Sequence, residues 1–499
     1  MTLRACASAL LAGFLALTTL APATGLAAAM AIPGDQSLNA EQVVADLDLA
    51  EKAFSRVHPG YARYAAPDTL AGAWESLRER ARGEDGMSVS ALYLGVSRVL
   101  PLIRCDHTKA ELPKALREGR SGAPLYLPLR WQWIEGRALV RYAPADSAVA
   151  AGDELLAIDG VAVATRVEET AALVPVDGYT DHAKAGEMGV SLEFMGGAVE
   201  HFGALLQPPP AEATLTVRAP NAPERIVRVT RVDHSAWSAL GAQAGRARNF
   251  KDAITFERLG ERAAYLSVDT FVNYREPVDP HSLYAPVFQA LKDEGRDTLI
   301  LDLRRNGGGS SDASHGLLAY LIDRPLRMHT DMRVATLDLD DLREHLSTWD
   351  KRALNPNRLG FRKQDDGTYS LRSFVSDDLK RIKPRRQAFE GRLLVLISAD
   401  NSSGSTNLSA ILAEQDRTTL IGEETGGSAE GPTAGLLFTL TLPNSGIRMR
   451  LPFFRYRNDV SGFERGMGLS PDIEAPWTFE SARAGEDPAM EAALALIER

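Results

Sequence analysis

Three serines crowd one junction of the chain. In ISADNSSGSTNLSAIL, residues 397–412, an apolar run breaks into small polar residues and resumes with helical spacing. A strand-to-helix turn of this kind can hold a serine hydroxyl out as a nucleophile. A serine at the same place can instead cap the helix by accepting a hydrogen bond from its first-turn N–H groups. Ser402, Ser403 and Ser405 are candidates for either role. A second loop, TLILDLRRNGGGSS (298–311), sets Gly307, Gly308 and Gly309 directly after another buried-type strand. Without a Cβ, these residues let backbone N–H groups come close to a ligand. Ligands of α/β sheets collect at the carboxyl ends of the strands. Two such ends side by side would supply a hydroxyl from one loop and oxyanion donors from both.

A serine hydroxyl is a weak nucleophile at neutral pH and needs a base. Histidine is the natural choice, and the chain has nine. His107 in RCDHTKAEL and His58 in RVHPGY are the contenders. His58 precedes a proline at the end of a helical pattern, which suits a structural residue. The Gly-rich loop has neither the Lys-Ser/Thr ending of a P-loop nor dinucleotide spacing. No G-x-S-x-G elbow, Ser-x-x-Lys or H-E-x-x-H occurs, and no cluster of metal ligands is visible. Neither a metal nor another cofactor is expected.

The elements that must position these residues fall into regions. Residues 1–29 have a short cationic start, the apolar run ALLAGFLAL and small residues before a cleavage point, the pattern of a secretory signal. A periplasmic or secreted protein without a membrane anchor follows as the expectation. Residues 33–118 read as a helical domain: Val43, Leu47, Ala50, Phe54 and Val57 recur at helical spacing, as do Leu70, Trp74, Leu77 and Ala81, and Asn39 with Gln42 forms a capping-box pattern. Residues 119–235 turn to short β-like runs. Within them SAVAAGDELLAIDGVAV resembles the strand and turn of a PDZ domain, interrupted by the insertion VDGYTDHAKAGEMGVSLEFMGGAVEH. Residues 236–480 alternate strand and helix, the pattern of an α/β core with a mixed sheet flanked by helices, and 481–499 read as a C-terminal helix. The fold class is therefore α/β multidomain. The polar stretch 326–390 reads as an insertion or lid over the core.

The segments LILDLRRNGGG, NSSGSTNLSAILAEQDRTTLIGEETGG and GMGLSPDIEA, with CDHT and the PDZ-like unit upstream, together resemble the C-terminal-processing and tricorn-core family of serine peptidases. The resemblance implies Ser403 as nucleophile, an oxyanion hole from the Gly404 and Gly308 N–H groups, and His107 as base. Ser428 stands where one branch of the family has its lysine base, so the resemblance is to the histidine branch. For the carboxylate that orients the base, Glu464 is the nearest match to the family's glutamate, and Asp106 stands where the family has a serine beside its histidine. Thr406 departs from the glutamate common three residues after the nucleophile. The implied activity is hydrolysis of peptide bonds in a peptide or protein substrate through an acyl-enzyme. The alternative is an inactive relative that binds an apolar ligand or peptide. The PDZ-like unit offers strands and turns but no nucleophile with a base, so binding rather than chemistry is expected of it.

One formal balance bears on partners: 56 Lys and Arg against 66 Asp and Glu give a net charge of −10. The charges are interspersed rather than gathered into runs, which speaks against a nucleic-acid surface or an anionic-membrane footprint and for simple solubility. Cys6 falls in the signal-like segment, leaving Cys105 alone, so the mature chain is expected to hold no internal disulfide.

Overall fold

The computed structural model describes residues 34–240 and 247–497. The signal-like segment lies outside the described residues. Six strands form the central sheet, in the spatial order Ile254–Leu259, Ala263–Val268, Thr298–Asp302, Arg392–Ile397, Thr418–Gly422 and Ile473–Glu474. The first pair is antiparallel and the remaining pairs are parallel. Spatial order follows chain order, so the parallel strands bring their carboxyl ends to one rim.

The near-continuous apolar runs TLILD and RLLVLI reflect burial on both faces. On one face Leu299, Leu301, Leu393 and Val395 pack with Phe288, Leu317 and Leu408 of the helices Pro280–Asp293, Ser311–Leu318 and Ser403–Ala413. On the other face Ile300, Leu394, Leu396 and Ile421 meet Ala489 and Ala493 of the helix Pro488–Ile497. The region 481–499, read from sequence as one helix, holds the end of the helix Phe479–Ala484 and then Pro488–Ile497, which closes the second face.

A second sheet joins the long hairpin Thr433–Thr441 and Arg448–Asn458 to His329–Val334, Leu346–Ser347, Phe361–Lys363 and Tyr369–Leu371. The stretch 326–390, read as an insertion or lid, is therefore a source of strands. Three of its four strands are only two or three residues long, too short for an alternating pattern to stand out. The strand Ala110–Glu111 adds to the same hairpin and ties the His107 segment to it.

Upstream, the helices Ala40–Val57, Pro67–Gly83 and Val89–Val99 bury the positions that recur at helical spacing, and the Asn39–Gln42 capping box is formed. The following unit is an antiparallel sheet ordered Arg130–Ile134, Arg137–Tyr142, Glu154–Ile158, Glu212–Arg218, Glu224–Thr230. Its Asp159–Gly160 turn has positive φ at both residues, 52° and 78°, as a two-residue hairpin of this hand requires. The helices, this sheet and the long hairpin share one apolar cluster, so the helical region has no core of its own. The central sheet is buried on both faces. Truncating its fully buried Leu394 to alanine is expected to lower stability by about 2–5 kcal/mol, read from the urea midpoint at constant m-value.

Candidate active site

Two asparagines set the frame. After the strand Arg392–Ile397 the chain turns, and buried Asn401 folds back: its Oδ1 accepts from Ser398 N–H at 2.8 Å. Its Nδ2 donates to Leu303 O and, at 3.0 Å, to Asn306 O, in the loop after the neighbouring strand. Asn306, also buried, donates through Nδ2 to Val268 O at 2.9 Å, at the end of the next strand along. Three adjacent strand ends are thereby fastened side by side.

This frame separates the three serines. Ser405 is fully buried with its Oγ 3.0 Å from Asn401 Nδ2. Ser402 is the N-cap residue, yet its side chain makes no cap hydrogen bond; its hydroxyl donates to Asp106 Oδ2. Ser403 opens the helix Ser403–Ala413, is partly exposed, and has φ of 51°. A non-glycine residue in the left-handed region costs on the order of 1–3 kcal/mol and persists only where its surroundings impose it. Of the three serines, Ser403 alone carries this strain.

Gly308, with φ of 97°, lies against it. A Cβ there would sit 2.9 Å from Gly404 N, 2.9 Å from Ser403 Cβ and 2.8 Å from Ser402 O. The contact explains why only glycine fits. The Gly308 N–H itself donates to Asn306 Oδ1 at 2.8 Å, so it holds the loop and does not point freely into the site. The next residue, Gly309, has no backbone hydrogen bond from its N–H among the described residues, and its N would lie 3.8 Å from a Cβ on Gly404. The Gly404 N–H stands in the first helical turn, ahead of any intrahelical partner. The sequence-based pair Gly404 and Gly308 is thus brought together, but the Gly308 N–H is taken, whereas the N–H groups of Gly307 and Gly309 have no partner among the described residues, and that of Gly309 is the one beside Gly404.

The histidine arrives from the N-terminal region. A left-handed Arg104, φ 58°, ends the turn Leu100–Ile103 and leads into Cys105–Asp106–His107. Asp106 Oδ1 lies 2.5 Å from His107 Nδ1, in ion-pair contact though without hydrogen-bond alignment. Its other oxygen holds the Ser402 hydroxyl, so one carboxylate ties the imidazole to the residue next to Ser403. Burial alone would lower the His107 pKa, but the Asp106 carboxylate outweighs it and raises it to about 10. Burial works to raise the Asp106 carboxyl, and the charge of His107 overrides it, holding Asp106 well below the usual carboxylate range.

His58 has a different task. Its Nδ1 accepts from Gly60 N–H at 3.1 Å and its Nε2 lies 2.9 Å from Thr108 Oγ1, while burial pushes its pKa down to about 3. It is a neutral strut beneath the residue after His107. Glu464 is exposed, and its carboxylate makes no hydrogen bond or ion pair among the described residues. The structure does not bring it to the imidazole; Asp106 holds that position because it precedes His107 directly in the chain. Thr406 is fully buried with no partner for its hydroxyl, so the departure there faces packing.

Residues 177–181, in the insertion that interrupts the PDZ-like pattern, stitch the site together. Gly178 N–H donates to Arg104 O at 3.0 Å, and Tyr179 N–H to Gly466 O at 2.7 Å. Thr180 Oγ1 donates to Gly426 O at 2.7 Å, and Asp181 pairs with Arg104 at 2.7 Å. Asp177 Oδ2 accepts from Ser428 N–H at 3.0 Å. Burial, reinforced by the Asp106 charge, pushes the Asp177 pKa up to about 7. Sequence reasoning gave this insertion no role at the site; the concentration of Asp, Gly and Thr in VDGYTD, out of keeping with a PDZ strand, was the available signal. Cys105, Asp106 and His107 also bring a thiol, a carboxylate and a ring nitrogen within 4.8 Å of one another. These are ligand types for a soft divalent ion. Here they serve their neighbours: the thiol donates to Thr433 O at 3.3 Å, and the carboxylate takes Ser402 and His107.

Residues 262–475, which hold the central sheet from its second strand to its last, match the profile of peptidase family S41. The fold matches crystal structures of mature CPAF, at 18% identity and a TM-score of 0.62 over 89% of this chain and 94% of that one, and of mature CPAF complexed with lactacystin, at 18% and 0.63 over 92% and 97%. Curated relatives include a Chlamydia pneumoniae protein, 28% identical over 231 residues, and a Chlamydia trachomatis protein, 25% identical over 235. Those matches take in 40% and 41% of this chain and 36% and 38% of the relatives, so the chain spans well under half of their length.

Two outcomes follow from this geometry. Asn401→Ala leaves Ser398 N–H and Asn306 O unpaired, while Leu303 O keeps the Asn306 N–H; a loss of about 1–3 kcal/mol in urea denaturation is expected, with slower fluorophosphonate labelling of Ser403. Removal of residues 122–233 takes away every contact made by 177–181, so the shortened protein should lose labelling even where circular dichroism shows it folded. Undiminished labelling would show that the insertion is dispensable.

Proposed function

We propose that the chain is an exported serine endopeptidase that cleaves peptide bonds through an acyl-enzyme on Ser403. The observation that carries this reading is the strained Ser403, pressed against the Gly-rich loop, beside a serine tethered to the Asp106–His107 pair. His107 takes the Ser403 hydroxyl proton as Oγ attacks the scissile carbonyl. Gly404 and Gly309 N–H groups stabilise the oxyanion, with Gly308 fixing their separation. The imidazolium then gives its proton to the leaving amine, and water, deprotonated by the same ring, releases the acyl group and restores the serine. Asp106 orients the ring and stabilises its cationic form.

The antiparallel unit supports a capture role. Glu224–Thr230 is an edge strand with alternating exposed side chains, to which an extended peptide could add. The signal-like start of the chain supports a periplasmic or secreted location.

Asp106 also sets a condition on activity. An imidazole with its pKa raised to about 10 is already protonated at neutral pH and cannot accept the serine proton. The same observation favours, as second reading, a relative that holds a peptide or apolar ligand without cleaving it. For the enzyme, kcat/KM should rise with pH through a His107 titration well above the ordinary imidazole range and fall as pH drops. Asp106→Asn removes the carboxylate and should move this limb to lower pH, a shift that a merely structural residue would not produce. Ser403→Ala should abolish both fluorophosphonate labelling and peptide hydrolysis, the latter by on the order of 10⁴-fold or more. Absence of label on the wild-type chain at every pH tested would overturn the peptidase reading in favour of the binding one.

A further inference from the structure

One corner of the second sheet combines features that the net charge of −10 conceals. Residues 351–390 contain eleven Lys or Arg and five Asp or Glu, a local balance of +6. The strand Phe361–Lys363 is the outer edge of this sheet, with Tyr369–Leu371 as its inner neighbour. The two turns flanking that hairpin lie together: Arg372 N–H donates to Gly360 O at 2.9 Å, and a Cβ on Gly360 would sit 3.4 Å from a Val375 methyl. Leu359, Phe374 and Val375, on those turns, are 81%, 72% and 49% exposed. Phe361 turns inward to the cluster of Met332, Leu371, Leu379 and Tyr456, so the corner is braced from behind.

Arg358, Arg362, Lys363 and Arg372 are all exposed, and none forms an ion pair with a carboxylate among the described residues. Other cations of the segment do: Arg352 pairs with Asp350 and Lys380 with Asp377. Three protruding apolar side chains are thus accompanied by four cations without counter-charges, on a chain that is acidic elsewhere.

We propose that this corner docks the protein on an anionic lipid surface. Leu359, Phe374 and Val375 enter the boundary between headgroups and acyl chains, and Arg358, Arg362, Lys363 and Arg372 meet lipid phosphates. An acidic polypeptide would satisfy the cations but leave the three apolar side chains in water. A lipid interface takes both. Such docking is peripheral: no described helix is long and apolar enough to cross a membrane. The corner lies three strands away from Arg448–Asn458, which carries the link to the His107 segment. Lipid contact there is independent of whether Ser403 is a nucleophile.

The test is co-sedimentation of the full chain with phosphatidylcholine vesicles, with and without phosphatidylglycerol, at low and physiological ionic strength. Binding to the phosphatidylglycerol vesicles, weakened by salt, is expected. The pair Arg362→Glu with Lys363→Glu should weaken it by about tenfold or more, because each cation near an anionic surface contributes appreciably. Separately, Leu359→Ser with Phe374→Ser should weaken it by about tenfold or more. Both sets are surface changes, and an unaltered melting curve confirms that the variants fold. Three outcomes overturn the proposal: no binding to anionic vesicles at low salt, binding that both sets of variants retain, or the same residues instead governing self-association or capture of polyglutamate with no vesicle binding.

Discussion

The pairing of Asn401 with the Leu303–Asn306 loop is the constraint on which the site depends. A parallel sheet brings strand ends to one rim but does not fix how the loops beyond them meet. Here one buried amide spans two loops, and a second, Asn306, spans to a third strand. With those loops fixed, Gly308 passes so close to Ser403 that a Cβ on it would sit 2.9 Å from Ser403 Cβ, and Ser403 is held at a φ of 51°. The strain at Ser403 is therefore held by hydrogen bonds several residues away, in a part of the molecule that never touches a reacting atom. Buried amides suit this task because leaving any of their partners unpaired is costly, so the arrangement has few alternatives close in energy.

The second constraint is electrostatic. Asp106 stands between a hydroxyl and an imidazole and serves both. The hydroxyl it accepts from belongs to Ser402, the neighbour of the proposed nucleophile, so the carboxylate links the ring to the residue before Ser403. The same proximity would stabilise the imidazolium in the acyl transfer proposed above and equally stabilises it at rest. Positioning and basicity pull against each other, and the balance falls on the side of a ring that is charged at neutral pH. Substrate that shields Asp106 or supplies its own hydrogen bond to it would release the proton.

Much of this was legible in the sequence where periodicity or motif carried it. The central strands, the helices Ala40–Val57 and Pro67–Gly83, the Asp159–Gly160 turn and the convergence of the serine turn on the Gly-rich loop all follow from apolar spacing and turn chemistry. Ser402 and Ser405 could not be set apart from Ser403 by pattern, because their difference lies in long-range partners, Asp106 and Asn401. Glu464 drew attention through its nearness to PD in the chain, but contact with an imidazole depends on where the loop turns, and this one turns outward. Gly308 and Gly309 are equivalent in sequence; only the Asn306 side chain, which occupies one N–H, distinguishes them. The strands of 326–390 were invisible because they are short and are completed by a hairpin more than a hundred residues later in sequence from the first of them.

The insertion at 176–201 alters how the antiparallel unit should be understood. A module that only captured peptide would need one face for the chain and a linker to the core. Instead its residues 177–181 bond to Arg104, Gly426, Ser428 and Gly466, which flank the histidine, the turn after the fifth central strand and the loop before the last one. The turn after the fifth strand and the loop before the last are bonded to each other, Thr425 N–H to Leu469 O and Ala429 N–H to Met467 O, and residues 177–181 join the histidine segment to both. The apolar cluster shared by the helices, the antiparallel sheet and the long hairpin makes the joint rigid. A displacement of the antiparallel sheet is therefore transmitted to Arg104 and, two residues on, to the Asp106–His107 pair. The unit's outer edge strand Glu224–Thr230 thus belongs to a sheet that shares its apolar cluster with the helices leading into the histidine segment.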